Sequence, residues 1–90
     1  MNFEWDPRKD ISNKEKHGID FETAKKLWFD DRRLELQISF PSEDRWVLIA
    51  AIEDKVWTAI YTMRHDVIRI ISVRRARARE VKLYEGKTEG

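Results

Sequence analysis

Residues Met63 to Glu80 read MRHDVIRIISVRRARARE, and the fold turns on how this stretch is interpreted. His65-Asp66 is a turn signal, and Val67-Ile68-Arg69-Ile70-Ile71-Ser72-Val73 is a β-branched apolar run of the kind that forms a strand buried by its neighbours. Arg64, Arg69, Arg74, Arg75, Arg77 and Arg79 gather at its ends and on the helix expected to follow. A strand with an apolar middle and guanidinium ends reads as a scaffold carrying an anion site.

Outward from this stretch the chain divides into short elements. Phe3-Glu4-Trp5 is a short edge strand, and Asp6-Pro7 starts a helix, Asp as N-cap and Pro at the first helical position. That helix is expected to end at His17, with Gly18 supplying the left-handed residue beyond it. Asp20 caps a second helix, whose Phe21, Ala24, Leu27 and Trp28 form an apolar stripe that anchors the core. Leu34–Phe40 alternates as a strand with one wet face, and Pro41-Ser42-Glu43-Asp44 is a turn. Arg45–Ile52 is a central strand, Glu53-Asp54-Lys55 a tight link, and Val56–Met63 the next strand. A helix from about Arg75 to Tyr84 closes the fold, and 85–90 is expected to fray.

The order β-α-α-β-β-β-β-α gives an α+β fold: a four-stranded antiparallel meander, a short N-terminal strand, two N-terminal helices and one C-terminal helix. The helices are expected mainly on one face, leaving the other open. Strict alternation puts Thr58, Ile60, Thr62 and Arg64 on one face of their strand. In the last strand Ile68, Ile70, Ser72 and Arg74 share a face, opposed by Arg69, Ile71 and Val73. Ser72 and Arg74 could then join Thr62 and Arg64 in one polar floor; a single bulge would alter that assignment.

Ninety residues make one domain, 1–90, with one modest core. The absence of cysteine removes disulfides, a thiolate nucleophile and Cys-based zinc sites. The N-terminus lacks a signal-peptide pattern and no stretch nears the ~20 apolar residues of a span, so a cytoplasmic protein without membrane contact is expected. Net charge is only +1, yet residues 1–31 carry −2, residues 32–63 carry −1 and residues 64–90 carry +4. The carboxylates show no H-E-x-x-H or D-x-D spacing, which argues against a metal centre.

The motifs FEWDPRK, N-x-x-KHGI-x-F-x-x-A, D-x-R, Y-T-x-R and IRIIS-x-RRA-R-x-x-E, with Tyr84 closing, together resemble the BrnT family of bacterial type II toxins. The likeness runs from Phe3 to Tyr84; Val73 stands where Ala is expected. It implies a RelE-like ribonuclease fold, RNA cleavage that halts translation, and neutralisation by a BrnA-type antitoxin with a ribbon-helix-helix DNA-binding part. Operator DNA would be met only through the toxin–antitoxin complex, and no cofactor is implied. Position by position it points to Lys16, His17, Arg45, Tyr61, Arg64, Arg69, Ser72, Arg74 and Arg75.

RNA cleavage without metal uses the ribose 2′-hydroxyl as nucleophile, so it needs proton transfer and stabilisation of phosphoryl charge. Arg64, Arg74 and Arg75 suit the charge, since guanidinium binds phosphate bidentately. His17, Lys16 or Tyr61 could move protons, and Arg45, Arg69 and Ser72 could hold substrate. Each has a plainer reading: Lys16 and His17 meet a helix dipole, Tyr61 packs in a core, Arg69 is salt-bridged to Glu53 or Asp66. Four tryptophans in ninety residues are core before they are base-stacking platforms. The rival to an endoribonuclease is a non-catalytic nucleic-acid or partner-binding module using the same arginine patch.

Overall fold

The computed structural model describes residues 1–39, 41 and 43–89, the last three by backbone alone. Phe40, Ser42 and Gly90, which belong to the expected strand end, turn and tail, lie outside the described residues. Five strands form one sheet: β1 (Asn2–Glu4), β2 (Leu34–Ser39), β3 (Asp44–Ile52), β4 (Lys55–Arg64) and β5 (Val67–Arg75), in the spatial order β1-β5-β4-β3-β2. β2 to β5 make the antiparallel meander, and β1 adds to β5 in parallel. The turn between β4 and β5 puts both His65 and Asp66 at positive φ, 50° and 69°, the left-handed pair whose twist matches the strands it joins.

Helix α1 (Pro7–His17) starts and stops where its caps dictate. The Asp6 carboxylate accepts from the Arg8 N–H, Pro7 takes the first turn, and Gly18 at φ 76° closes the end. Asn13 is its buried residue, and its amide does the work of a missing strand. β1 pairs only with Val67–Arg69, so the edge of β5 beyond it is bare. Asn13 accepts from the Val73 N–H at 3.0 Å and donates to the Val73 carbonyl at 2.9 Å, while also donating to the Ile19 carbonyl at 2.9 Å. Those three backbone groups would otherwise be buried without partners.

The second helix differs from expectation. It is one α-helical turn, α2 (Phe21–Ala24), continued by a 3₁₀ turn over Lys25–Phe29. Winding at three residues per turn stacks positions three apart, and Phe21, Ala24 and Leu27 are all fully buried. They pack with Trp28 on Leu48, Ala50, Ala59, Tyr61, Ile68, Ile70 and Val73 from the sheet. The tryptophans serve this core: Trp28 sits edge-on to Phe3 and Tyr61, and Trp5, Trp46 and Trp57 pack around it.

The last helix corrects two expectations. Arg75 remains in β5 opposite Trp57, the Ala76 N–H still bonds the Val56 carbonyl, and α3 runs from Ala78 to Glu89. It therefore continues as helix through 85–89, past Gly86, which costs about 1 kcal/mol relative to Ala. Nor does it join the other helices. Thr58 and Arg74 face away from the core, and both donate to Glu80 of α3, at 3.0 Å and at 2.8 and 2.9 Å. Glu80 also accepts from the Arg77 N–H at 2.8 Å, the reach-back of a capping box whose N-cap lacks an oxygen of its own. Farther along, the Tyr84 hydroxyl donates to Asp30, whose carboxylate also holds the Ala51 N–H. The second face is thus half covered, with Ile49 and Thr58 each 1% exposed at the covered end.

The Arg74 fork, with the Arg77 N–H and Thr58 hydroxyl, holds the Glu80 carboxyl down to about 2 against 4.5. Its contribution is therefore fully present above pH 4.5 and lost as pH falls toward 2. Glu80→Gln should cost about 2–3 kcal/mol at pH 7 and flatten the fall in melting temperature between those limits. Asn13→Ala should cost about 3 kcal/mol in urea unfolding, because no side chain replaces its three bonds to β5 and the Ile19 carbonyl.

Candidate functional site

One residue in β5 sets the site. Opposite β4, Ile60 pairs with Ser72 but Tyr61 pairs with Ile70, so Ile71 is an extra residue. Below the bulge Ile68 and Ile70 face the core; above it Val73 does, and Ser72 and Arg74 point outward. Strict alternation would have put Ile68 and Ile70 outside with Ser72. The bulge also brings Arg69 to the outer face, opposite Thr62, where alternation had placed it inward.

Register gives the outer face in rows. Arg74, Thr58, Ile49 and Leu34 lie in the row beneath α3. Next come Ser72, Ile60, Val47 and Leu36, and then Glu4, Arg69, Thr62, Arg45 and Ile38. Arg64, opposite Val67, ends the face. Arg64 and Arg74 therefore share a face, but six strand positions separate their rows, about 20 Å. They do not form one pocket.

Their partners differ as well. Arg74 gives both prongs of its fork to Glu80, which holds its guanidinium charged above the usual range. A phosphate would have to displace that carboxylate. At the far end Arg69 sits 2.7 Å from the Glu4 carboxylate and Arg64 3.8 Å from the same oxygen. The partner of Arg69 is thus Glu4, not Glu53 or Asp66. Two guanidiniums on one carboxylate leave a positive charge, and Arg64 is 63% exposed. Arg45 lies in the same rows, 3.3 Å from Glu43.

Tyr61 and Arg75 do not reach this face. Tyr61 is buried among Trp28 and Trp46, with its hydroxyl donated to Glu35 at 2.8 Å. Burial first, and then that carboxylate, push its phenol well above the ordinary value, opposite to what a proton acceptor needs. Arg75 turns to the core side and lies over the Trp57 ring at 5.4 Å, a cation–π contact.

Lys16, His17 and Ser72, by contrast, are brought together. They line a groove of about 300 Å³ with Arg8, Lys9, Ser12, Asn13 and Ile71, where α1 runs past the bulge. None of the lining residues is acidic. Arg8 or Lys9, Ser12 and Lys16 recur at helical spacing, so one face of α1 presents cations toward the outward-turned Ser72. Asn13 fixes the distance between them through its bonds to Val73. Sequence reasoning passed over Arg8, Lys9, Ser12 and Asn13; the signal was there in Asn13, a poor helix former in mid-helix inside the N-x-x-KHG motif. A larger hollow of about 450 Å³ by Phe29, Asp30, Arg32 and Tyr84 contains none of the candidates. The Asp30 carboxylate there is engaged by the Tyr84 hydroxyl and by backbone N–H groups of Ala51 and Arg32. Among the described residues no cluster of His, Cys, Asp and Glu could hold a metal ion, and no helix is long and apolar enough to cross a membrane.

A comparison with curated proteins gives no match. Residues 5–80 match the family model for the ribonuclease toxin BrnT of type II toxin–antitoxin systems. The matched span takes in the α1 groove, the bulge, the arginines of the outer face and Glu80. The chain belongs to the BrnT family of ribonuclease toxins.

Proposed function

We propose that this toxin is a metal-independent endoribonuclease of RelE-like fold, whose reaction is carried out beside the β5 bulge. The observation that carries the reading is the acid-free groove in which Lys16 and His17 face Ser72. The RNA 2′-hydroxyl attacks the adjacent phosphorus, the P–O5′ bond breaks, and the products are a 2′,3′-cyclic phosphate and a free 5′-hydroxyl. His17 carries the proton, imidazole being the side-chain type suited to exchange near neutral pH. Lys16, with Arg8 and Lys9 beside it, offsets the charge gathering on the phosphoryl oxygens, and Ser72 orients them.

Downstream, the strand crosses the outer face toward Arg69 and Arg64, which take flanking phosphates, with Arg45 alongside. Arg74, Arg75 and Tyr61 take structural roles, given the partners they already have. A type II toxin has an antitoxin partner. The partner proposed here is of BrnA type, with a ribbon-helix-helix part through which the pair reaches operator DNA. A cytoplasmic location suits an enzyme acting on RNA.

Labelled RNA with the purified protein in excess EDTA tests the chemistry. Fragments with cyclic-phosphate ends are expected, and His17→Ala and Lys16→Ala should each slow cleavage about 100-fold or more while leaving the melting temperature within a few degrees. Arg64→Ala should weaken RNA binding and lower its salt dependence by about one phosphate contact, with little effect on the rate at saturation. Full activity in both α1 variants would move the reaction elsewhere. A salt-sensitive mobility shift with no cleavage would make the groove a binding site alone.

A further inference from the structure

α3 covers only one end of the outer face. Beyond it, Val47 and Ile60 are half-buried and Leu36 and Ile38 are each 42% exposed, neighbours across β2, β3 and β4. Arg45, Arg69 and Arg64 border this apolar strip on the side away from α3. Among the described residues the strip is aliphatic, with no aromatic ring in its rows to serve as the stacking platform with which sheets receive bases. A protein surface suits it better than RNA does.

Its dimensions specify the shape of the occupant. α3 lies over the row of Arg74, Thr58 and Ile49 and heads from β5 toward the β2 side, where Tyr84 meets Asp30. Rows on one face repeat about every 6.6 Å along the strands. The strip between the Ser72 and Arg69 rows is therefore centred about 10 Å from the row under α3, the ordinary separation of two packed helices. Crossing from β5 to β2 takes about 14 Å, or roughly ten helical residues.

We propose that this strip seats an amphipathic helix of the antitoxin, alongside α3, its aliphatic side on Leu36, Ile38, Val47 and Ile60 and its acidic flank against Arg64 and Arg69. Complementarity argues for acid on that flank, since Arg64 and Arg69 share the single Glu4 carboxylate. The inference rests on the proposed ribonuclease reading for its consequence. A helix there covers Ser72 and Arg69 and closes the RNA path, which neutralises the toxin without touching Lys16 or His17.

The test uses the toxin with its own antitoxin. In the double variant Leu36→Glu with Ile38→Glu, antitoxin binding should fall about 30-fold or more, the loss expected when two central apolar anchors are made acidic. Its RNA cleavage should then escape inhibition while its activity alone stays at the wild-type level. Ile11→Glu, at an exposed apolar residue of α1, should bind as wild type does. Because the chain has no cysteine, Leu36→Cys gives a single thiol, which a maleimide should label in the free toxin and not in the complex. Wild-type affinity in the double variant, or full labelling in the complex, overturns the proposal. So does a toxin that dimerises alone through this strip and loses only that dimer in the double variant. Wild-type toxin that binds antitoxin but cleaves no RNA would sink the ribonuclease reading and leave the docking result standing.

Discussion

An antiparallel ladder alternates its side chains strictly, so one inserted residue exchanges the faces of everything beyond it. Ile71 is that residue, and the fold depends on where it falls. Without it, the core would receive either Ile68 and Ile70 or Val73, but not all three. With it, all three are buried, at 7%, 1% and 0% exposure, and Ser72 and Arg74 come out on the same face as Arg69. On its other edge β5 outruns the short β1, so the backbone of Val73 has no strand on that side, and Asn13 from α1 supplies both missing bonds. The bulge and the clamp thus act on neighbouring residues: one turns Ser72 outward, the other holds a cationic helix at the sheet edge beside it, and the groove lies between them.

Much of this was open to inference from residues alone, because the signals were local. Asp6-Pro7 and Gly18 mark the ends of α1, His65-Asp66 marks the last hairpin, and the alternation of Leu34–Ser39 marks an exposed edge. The bulge was not legible, for a physical reason. Ile70 and Ile71 are both apolar, so VIRIIS satisfies either face equally, and only the pairing with Tyr61 and Ile60 of β4 decides between them. The position of α3 was equally hidden, since its helical stripe does not say which side of a sheet it will cover. Glu80 settles that by gathering Arg74, Thr58 and its own N-terminus into one cluster, a choice that becomes visible only in three dimensions.

The same cluster explains why counting arginines overstates the anion site. The excess of positive charge in residues 64–90 suggested a patch, yet its members are engaged in different ways. Arg74 is held by a carboxylate fork, Arg75 by an indole face, and Arg69 by Glu4. Guanidinium groups hold structural positions well because they cannot lose their charge and donate in a fixed plane. Arg64 is the most exposed arginine of the outer face, and the other cations beside it in the proposed path are ones that the C-terminal stretch did not advertise, on α1.

That location carries an electrostatic penalty that any account of the site must meet. The groove runs along α1 from Arg8 to His17, and at its His17 end the helix dipole is negative and repels an anion. Lys14, Lys16 and His17 crowd the last turn, and the plain reading is that they neutralise the dipole. Both roles are compatible, since the dipole is equivalent to about half an elementary charge and Lys14 and Lys16 together exceed it. Lys14 reaches the Gly18 carbonyl, while Lys16 lines the groove with Ser72, and no lining carboxylate competes for it. A phosphodiester in the groove would then be held by side chains alone, whose donors can follow the phosphoryl oxygens as charge builds on them, instead of by the fixed backbone donors that a helix N-terminus offers.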